Sequence, residues 1–365
     1  MPDDARQDSR PDTRTEEASN VMTVLGPIEP SALGPTLIHE HLQVDASATF
    51  SPHLLPASLS GYVDSRVDDS ILDLLHQWPF SLCRDNVVLD DEELAIEELQ
   101  PLIDGGGTAL VDCTTVGLGP QPVALRRIAM ATGLHIVQGT GIYVERSHPP
   151  WVSRSSQDEI AEFMINELGV GIADTGVRAG VIGEIGTSGY ELETGVTPAE
   201  EKVVRAAGAA AAETGAAVIV HLDPRVFGAY RVIELLEGEG VAPSRMVMAH
   251  MDANPVSSYH HDVAKLGAFL SYDHFGREYY AGHMQRSYTQ DAQRVALLVD
   301  LLDCGYERQI VLSQDVCAKI DLARFRGNGY GHVVNRIVPL LKHHGVTEAQ
   351  IERMLVDNPR EILSI

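Results

Sequence analysis

Chemistry is first legible in this chain at two histidines spaced two apart, His39 and His41 in the run TLIHEHL. In a strand, residues two apart point to one face, so these imidazoles converge while Glu40 between them turns away. Alone the pair is a modest signal. Its weight comes from the polar groups in other β-branched runs: His221 closes AAVIVH, His250 closes RMVMAH, Asp315 closes QIVLSQD, and Glu184 lies within GVIGEIG. Each is carried by Val, Ile, Leu or Ala into an apolar interior, where a lone carboxylate is costly unless it is paired or coordinates metal. Four neutral imidazoles and two carboxylates suit ions of the zinc type, because imidazole favours Zn, Fe, Ni and Co over Mg and Ca. One ion needs about three protein ligands, so this set suits two. Without metal the two carboxylates would repel each other in a low-dielectric pocket.

Positioning these groups requires strands that end at one place. Eight short apolar runs alternate with helical patterns: 36–45, 108–115, 135–143, 179–188, 216–223, 245–252, 268–276 and 309–317. The helices between them carry readable punctuation. Ser156 and Glu159 form a capping box with Gly169 as the terminating residue, and Thr197, Pro198 and Glu200 open an Ala-rich helix that ends near Gly215. Asp90 is the expected cap of DEELAIEELQPLI, and Thr347 with Gln350 opens the last helix. Strands alternating with helices indicate parallel βαβ units. Eight of them predict a (β/α)8 TIM barrel, with a doubly wound open sheet as the alternative. A short hairpin-like lead-in should precede the barrel, and long loops should follow its strands. The longest, 46–85, carries Pro52, Pro56, Trp78 and Pro79 and leaves the C-terminal end of the first strand, where substrate loops belong. Closed in this way, the barrel brings the ligand candidates of five strands to one mouth.

Length and composition narrow the function classes. The 365 residues allow one large domain or two ordinary ones; the eight-strand reading favours a single domain over 21–365 behind a flexible polar tail over 1–20. The formal charge of −25 argues against nucleic acid and against an anionic membrane. There is no apolar run of bilayer length and no apolar stretch in the first twenty residues of the kind a secretory signal needs. Cys83, Cys113, Cys304 and Cys317 show no CxxC pairing, which suits reduced thiols in the cytoplasm. Phosphate loops, dinucleotide fingerprints, GxSxG elbows and HExxH motifs are all missing; GTG at 139–141 lacks its third glycine.

From TVLGPIEPSALGPTLIHEHL, beginning at Thr23, to DNPREIL at the end, the sequence resembles the phosphotriesterase family of the amidohydrolase superfamily. The resemblance implies that His39, His41 and Asp315 hold a buried ion, that His221 and His250 hold an outer one, and that the residue at position 184 bridges them. The family's name-giving enzymes have a carboxylated lysine at the bridge, whereas this chain has Glu184. With DHFGREYY at 273–280 and NGYGH at 328–332, it is therefore similar to the phosphotriesterase-homology and phosphotriesterase-related branch. That departure turns the expectation away from phosphotriesters and toward a small ester, lactone or amide carbonyl, attacked by a hydroxide bridging two divalent ions. Zinc is the first choice of metal, with Mn, Co or Fe as alternatives. The ions would sit roughly 3.5–4 Å apart and bring the pKa of their water toward about 7. Asp315 is expected to take the proton, and His274 matches a family shuttle position beside Asp273. Tyr143, Arg277 and Lys319 are candidates for substrate binding. Phosphoester hydrolysis is the second reading. A ligand-binding protein that keeps the metal barrel with little turnover is the reading from another class; the filled ligand set favours catalysis. A homodimer is the family-level expectation.

Overall fold

The structure, a computed structural model, describes residues 19–281 and 286–365. The tail expected over 1–20 lies, up to residue 18, outside them. A two-stranded antiparallel lead-in, Val21–Thr23 with Gly26–Ile28, precedes the barrel. Eight parallel strands then follow: β1 (Thr36–Glu40), β2 (Ala109–Asp112), β3 (His135–Thr140), β4 (Val181–Gly186), β5 (Val218–His221), β6 (Met246–Met248), β7 (Phe269–Tyr272) and β8 (Ile310–Leu312). Each falls inside one of the eight runs read from the sequence. They pair in chain order from β1 to β8.

The strands are apolar on both faces, as a sheet covered on both sides requires. Ile38, Val111, Val137, Val181, Ile219, Val247 and Val311 fill the barrel. Their neighbours Leu37, Leu110, Ile136, Ile182, Val218, Met248 and Leu312 face outward under the helices. Those helices include α1 (Glu92–Asp104), α2 (Pro122–Thr132), α3 (Gln157–Gly169), α4 (Pro198–Thr214), α5 (Ala229–Gly238), α6 (Ser257–Leu266) and α7 (Asp291–Asp303).

The seam between β8 and β1 is closed mainly by side chains. The Asp315 N–H donates to the His39 carbonyl at 3.1 Å. The Glu40 carboxylate, fully buried, accepts from Ser313 Oγ at 2.7 Å and from the N–H groups of Gln314 and Val316 at 2.8 and 2.9 Å. Glu40 thus turns away from its flanking histidines to latch the last strand onto the first.

The capping boxes of α3 and α4 form at Ser156–Glu159 and Thr197–Glu200, and Gly215 ends α4 at φ 76°. Two boundaries differ from expectation by a residue or two. Asp91 rather than Asp90 caps α1, accepting from the Leu94 N–H at 3.0 Å. α3 runs through Gly169, and Gly171 takes the positive φ. In both places adjacent residues could serve, and tertiary placement selects one. The 46–85 excursion consists of short 3₁₀ turns and a single four-residue α-turn, Leu72–Leu75. Among the described residues no helix is long and apolar enough to cross a membrane.

Candidate metal centre

Regular pleating alone would not bring the ligand candidates to one point. Ile38 faces the barrel interior, so simple alternation would send Glu40, not His39, the same way. The pairing of β1 with β2 shifts register between Leu37 and Glu40, and His39 turns into the mouth. β4 shifts against β5 between Ile182 and Ile185, and Glu184 lies in that interval. Such irregularities re-aim side chains at barrel rims. His250 and Asp315, just beyond their strands, take positive φ values of 60° and 52°. The His250 N–H donates to Asp273 at 3.0 Å, and the bond from Asp315 N–H to His39 holds the other turn.

The structure brings His39, His41, Glu184, His221, His250 and Asp315 together. His41 Nε2 lies 3.4 Å from Glu184 and 3.2 Å from Asp315. His221 Nδ1 is 3.1 Å from Glu184 and 2.8 Å from His250 Nε2. His39 Nε2 stands 3.6 Å from Glu184 and 4.0 Å from Asp315. One atom from each of His39, His41 and Asp315 falls within a sphere suited to one ion, and His39, Glu184 and His250 form a second such group. The fit to cations is also electrostatic. His39 Nε2 is fully buried without a hydrogen-bond partner among the described residues. Burial pushes the Glu184 carboxyl up, but His39, His221 and His41 outweigh it and hold it well below the usual carboxylate range. Asp315 is likewise held low against burial by Arg277, His274 and His41. Burial lowers His41, yet Asp315 and Glu184 push it up to about 9. Two carboxylates this deep demand neighbouring positive charge, which protons or divalent ions can supply.

A supporting layer orients the ligands. Asp273, fully buried, lies 2.9 Å from His250 Nδ1 and 3.2 Å from His39 Nδ1, so both imidazoles present Nε2 inward. Thr114 Oγ1 does the same for His41 Nδ1 at 2.9 Å. Asp252 accepts from the Asp273 and His274 N–H groups and pairs with the fully buried Arg294 at 2.8 Å. Asp273 ends AFLSYD as Asp315 ends QIVLSQD; that strand-end signal was available in the sequence but was read only as the neighbour of His274.

The other candidates fall at varying distances from the centre. His274 Nε2 lies 3.2 Å from Asp315, and its ring stacks on His250; burial, His250 and Arg277 push its pKa down to about 3. Tyr143 places its hydroxyl 3.4 Å from His221 Nδ1. Arg277 is buried and committed: Nη1 lies 2.9 Å from Asp315, and Nη2 reaches the Asp315 carbonyl and Asp321. Lys319 pairs with Asp85 at 2.7 Å and does not line the cavity over the cluster.

That cavity, of about 370 Å³, opens over His41, Glu184, His221, His250 and Asp315. The 46–85 excursion supplies part of its wall through Thr49, Ser51, His53, Leu54 and Phe80. Sequence reasoning missed Arg146, Arg225 and Tyr190 on its rim. They lie in loops after β3, β4 and β5, where no periodicity marks them.

Comparison with known proteins adds the following. Residues 19–363 match the model of the phosphotriesterase family. The chain is 35% identical to an N-acetyltaurine hydrolase from Tetraodon nigroviridis over 95% of its length and 98% of the relative's. It is similar to the crystal structure of a resiniferatoxin-binding protein from Rhodobacter sphaeroides, with a TM-score of 0.89, 37% identity and 94% of each chain covered. A lactonase from Listeria monocytogenes has a TM-score of 0.75 at 27% identity, covering 94% of this chain and 99% of its own.

Proposed function

Because this chain belongs to the phosphotriesterase family and is a hydrolase of that kind, we propose that it cleaves the carbonyl of a small N-acyl amide at a centre of two divalent ions, with lactones as the second substrate type. The observation that carries this reading is the convergence of four histidines and two carboxylates from five strands beneath a cavity of about 370 Å³. That volume suits a small molecule. The amide is favoured by the N-acetyltaurine hydrolase relative and the lactone by the Listeria structure.

His39, His41 and Asp315 would hold one ion and His221 with His250 the other, with Glu184 lying between the two groups. When bound, the ions, zinc first and Mn, Co or Fe otherwise, lower the pKa of a water and polarise the scissile carbonyl. Asp315 accepts the proton of the attacking water at a carboxylate oxygen. Arg277 fixes that carboxylate from 2.9 Å and acts as a positioning residue. His274 Nε2, 3.2 Å from Asp315, stands next in line to pass the proton toward the leaving nitrogen. Tyr143 borders the substrate's approach beside His221, and Lys319 fastens the loop after β8 to Asp85. All four cysteines are free, which supports a reducing, cytoplasmic setting, and the family-level homodimer remains part of this reading.

The test is a panel of N-acyl amino compounds, lactones and phosphotriesters offered to zinc- or manganese-loaded protein. N-acyl compounds should turn over fastest. At full metal loading Asp315→Asn should lower turnover by at least about a hundredfold, the scale of general acid–base assistance. Metal-loaded protein that cleaves nothing on the panel would overturn the hydrolytic reading, and full activity in Asp315→Asn would overturn the proton-acceptor role.

A further inference from the structure

The cluster is not equally buried on all sides. His39, His41, Glu184, His250 and Asp315 are nearly or fully inaccessible, whereas the His221 side chain keeps 21% exposure. The His221 side is therefore where the cavity meets the cluster, and a bound molecule extends away from it. Two guanidinium groups line that cavity besides the buried Arg277. Arg225 is spoken for: its Nε donates to Asp223 at 2.8 Å, a second nitrogen binds the same carboxylate, and its plane covers the Tyr190 ring at 3.4 Å. Arg146 is different. It makes no ion pair or side-chain hydrogen bond among the described residues, in a protein whose formal charge is −25. Its charge acts on Tyr143, whose hydroxyl sits 3.4 Å from His221.

The backbone beneath Arg146 is held in place. Glu200, fully buried at the start of α4, accepts from the Glu145 N–H at 3.1 Å while also binding the Ser188 and Thr197 N–H groups at 3.0 Å. His148 Nε2 lies 2.9 Å from the Tyr143 carbonyl, closing the same loop from its other side. A guanidinium with no acidic partner among the described residues, on an anchored backbone beside the open side of the cluster, is a binding group in want of an anion.

We propose that Arg146 binds a carboxylate or sulfonate on the substrate, so that the substrate class is acidic N-acyl compounds rather than neutral amides. This rests on the hydrolase reading for the bond that is cleaved, but the anion contact itself is a matter of binding. The test is calorimetric titration of chelator-stripped and zinc-loaded protein with N-acetyl-β-alanine, N-acetyl-2-aminoethanesulfonate and the neutral N-acetylpropylamine, repeated with Arg146→Gln and Arg146→Lys. Wild-type protein should prefer the acidic probes, and Arg146→Gln should reduce the acidic-to-neutral affinity ratio by about tenfold to a hundredfold, the scale of a charge-assisted contact. Arg146→Lys should restore part of the ratio, and added salt should narrow the wild-type preference. An unchanged ratio in Arg146→Gln, or wild-type protein that binds neither acidic probe, overturns the assignment. Acidic probes that bind through Arg146 yet are not cleaved by the zinc-loaded protein overturn the N-acyl amide reading instead.

Discussion

Asp273 shows how one residue outside the ligand set governs two within it. Its oxygens face Nδ1 of His250 and of His39, and the His250 N–H steadies the same carboxylate at 3.0 and 3.2 Å. Burial pushes its carboxyl up, but His250 and His39 outweigh that and hold it far below the usual range, so Asp273 is an acceptor toward both rings. Nδ1 of His250 is hydrogen-bonded to Asp273 and Nδ1 of His39 lies 3.2 Å from it, so both rings turn Nε2, the nitrogen a metal needs, toward the cluster. Asn at this position keeps one acceptor and gains a donor, so one histidine loses its partner and its tautomer. Asp273→Asn should weaken metal affinity by about tenfold to a hundredfold in competition with a chelator. At saturating metal, turnover should recover more of the wild-type value than Asp315→Asn does. Unaltered affinity would show that the two imidazoles need no such support.

Among the elements, α4 does more than cover the sheet. Its Thr197–Glu200 capping box satisfies the helix start, but Glu200 also takes the Ser188 N–H and hydroxyl and the Glu145 N–H. The carboxylate is thus a strut between the loops after β3 and β4, which carry Tyr143, Arg146 and Tyr190. Thr197→Ala should cost about 1 kcal/mol, the usual loss of a cap. Glu200→Ala leaves the part-buried donors of Glu145, Ser188 and Thr197 without their shared acceptor and should cost about 2–3 kcal/mol. It should also raise KM through the freed Arg146 loop. Urea unfolding and steady-state kinetics on the pair decide the matter: equal costs with equal KM would reduce Glu200 to a cap. The boxes at 156–159 and 197–200 are local patterns and were legible in the chain. The reach of Glu200 to Glu145, 55 residues earlier, was not.

For the molecule as a whole, one buried acid sets a measurable pH dependence away from the centre. Glu167 on α3 accepts from Thr140 Oγ1 of β3 at 2.6 Å, and burial pushes its pKa up to about 7. The folded state therefore holds a proton that the unfolded chain releases near pH 4.5. The stabilisation is fully present below about pH 4.5 and is lost as pH rises through about 7, by at most about 3 kcal/mol. Glu167→Gln carries no such charge. Its stability relative to wild type should accordingly improve between pH 5 and pH 8, as read by urea unfolding at each pH. A difference independent of pH would mean that Glu167 ionises as an exposed glutamate does.

The barrel and its ligand types were written locally: β-branched runs, their spacing, and a histidine or acid in five of those runs. Side-chain period and the cost of burying a polar group act over a few residues, so eight strands and their polar ends can be read without a partner in view. The tertiary structure decided what depends on residues far apart meeting. It set the register shifts that turn His39 and Glu184 inward and the latch from Glu40 to Ser313, 273 residues away. It also sorted the cations, giving Arg277 to Asp315, Lys319 to Asp85 and Arg225 to Asp223, and leaving Arg146 at the rim without an acidic partner among the described residues. A charge is free or committed only relative to its neighbours, and those neighbours are chosen by the fold.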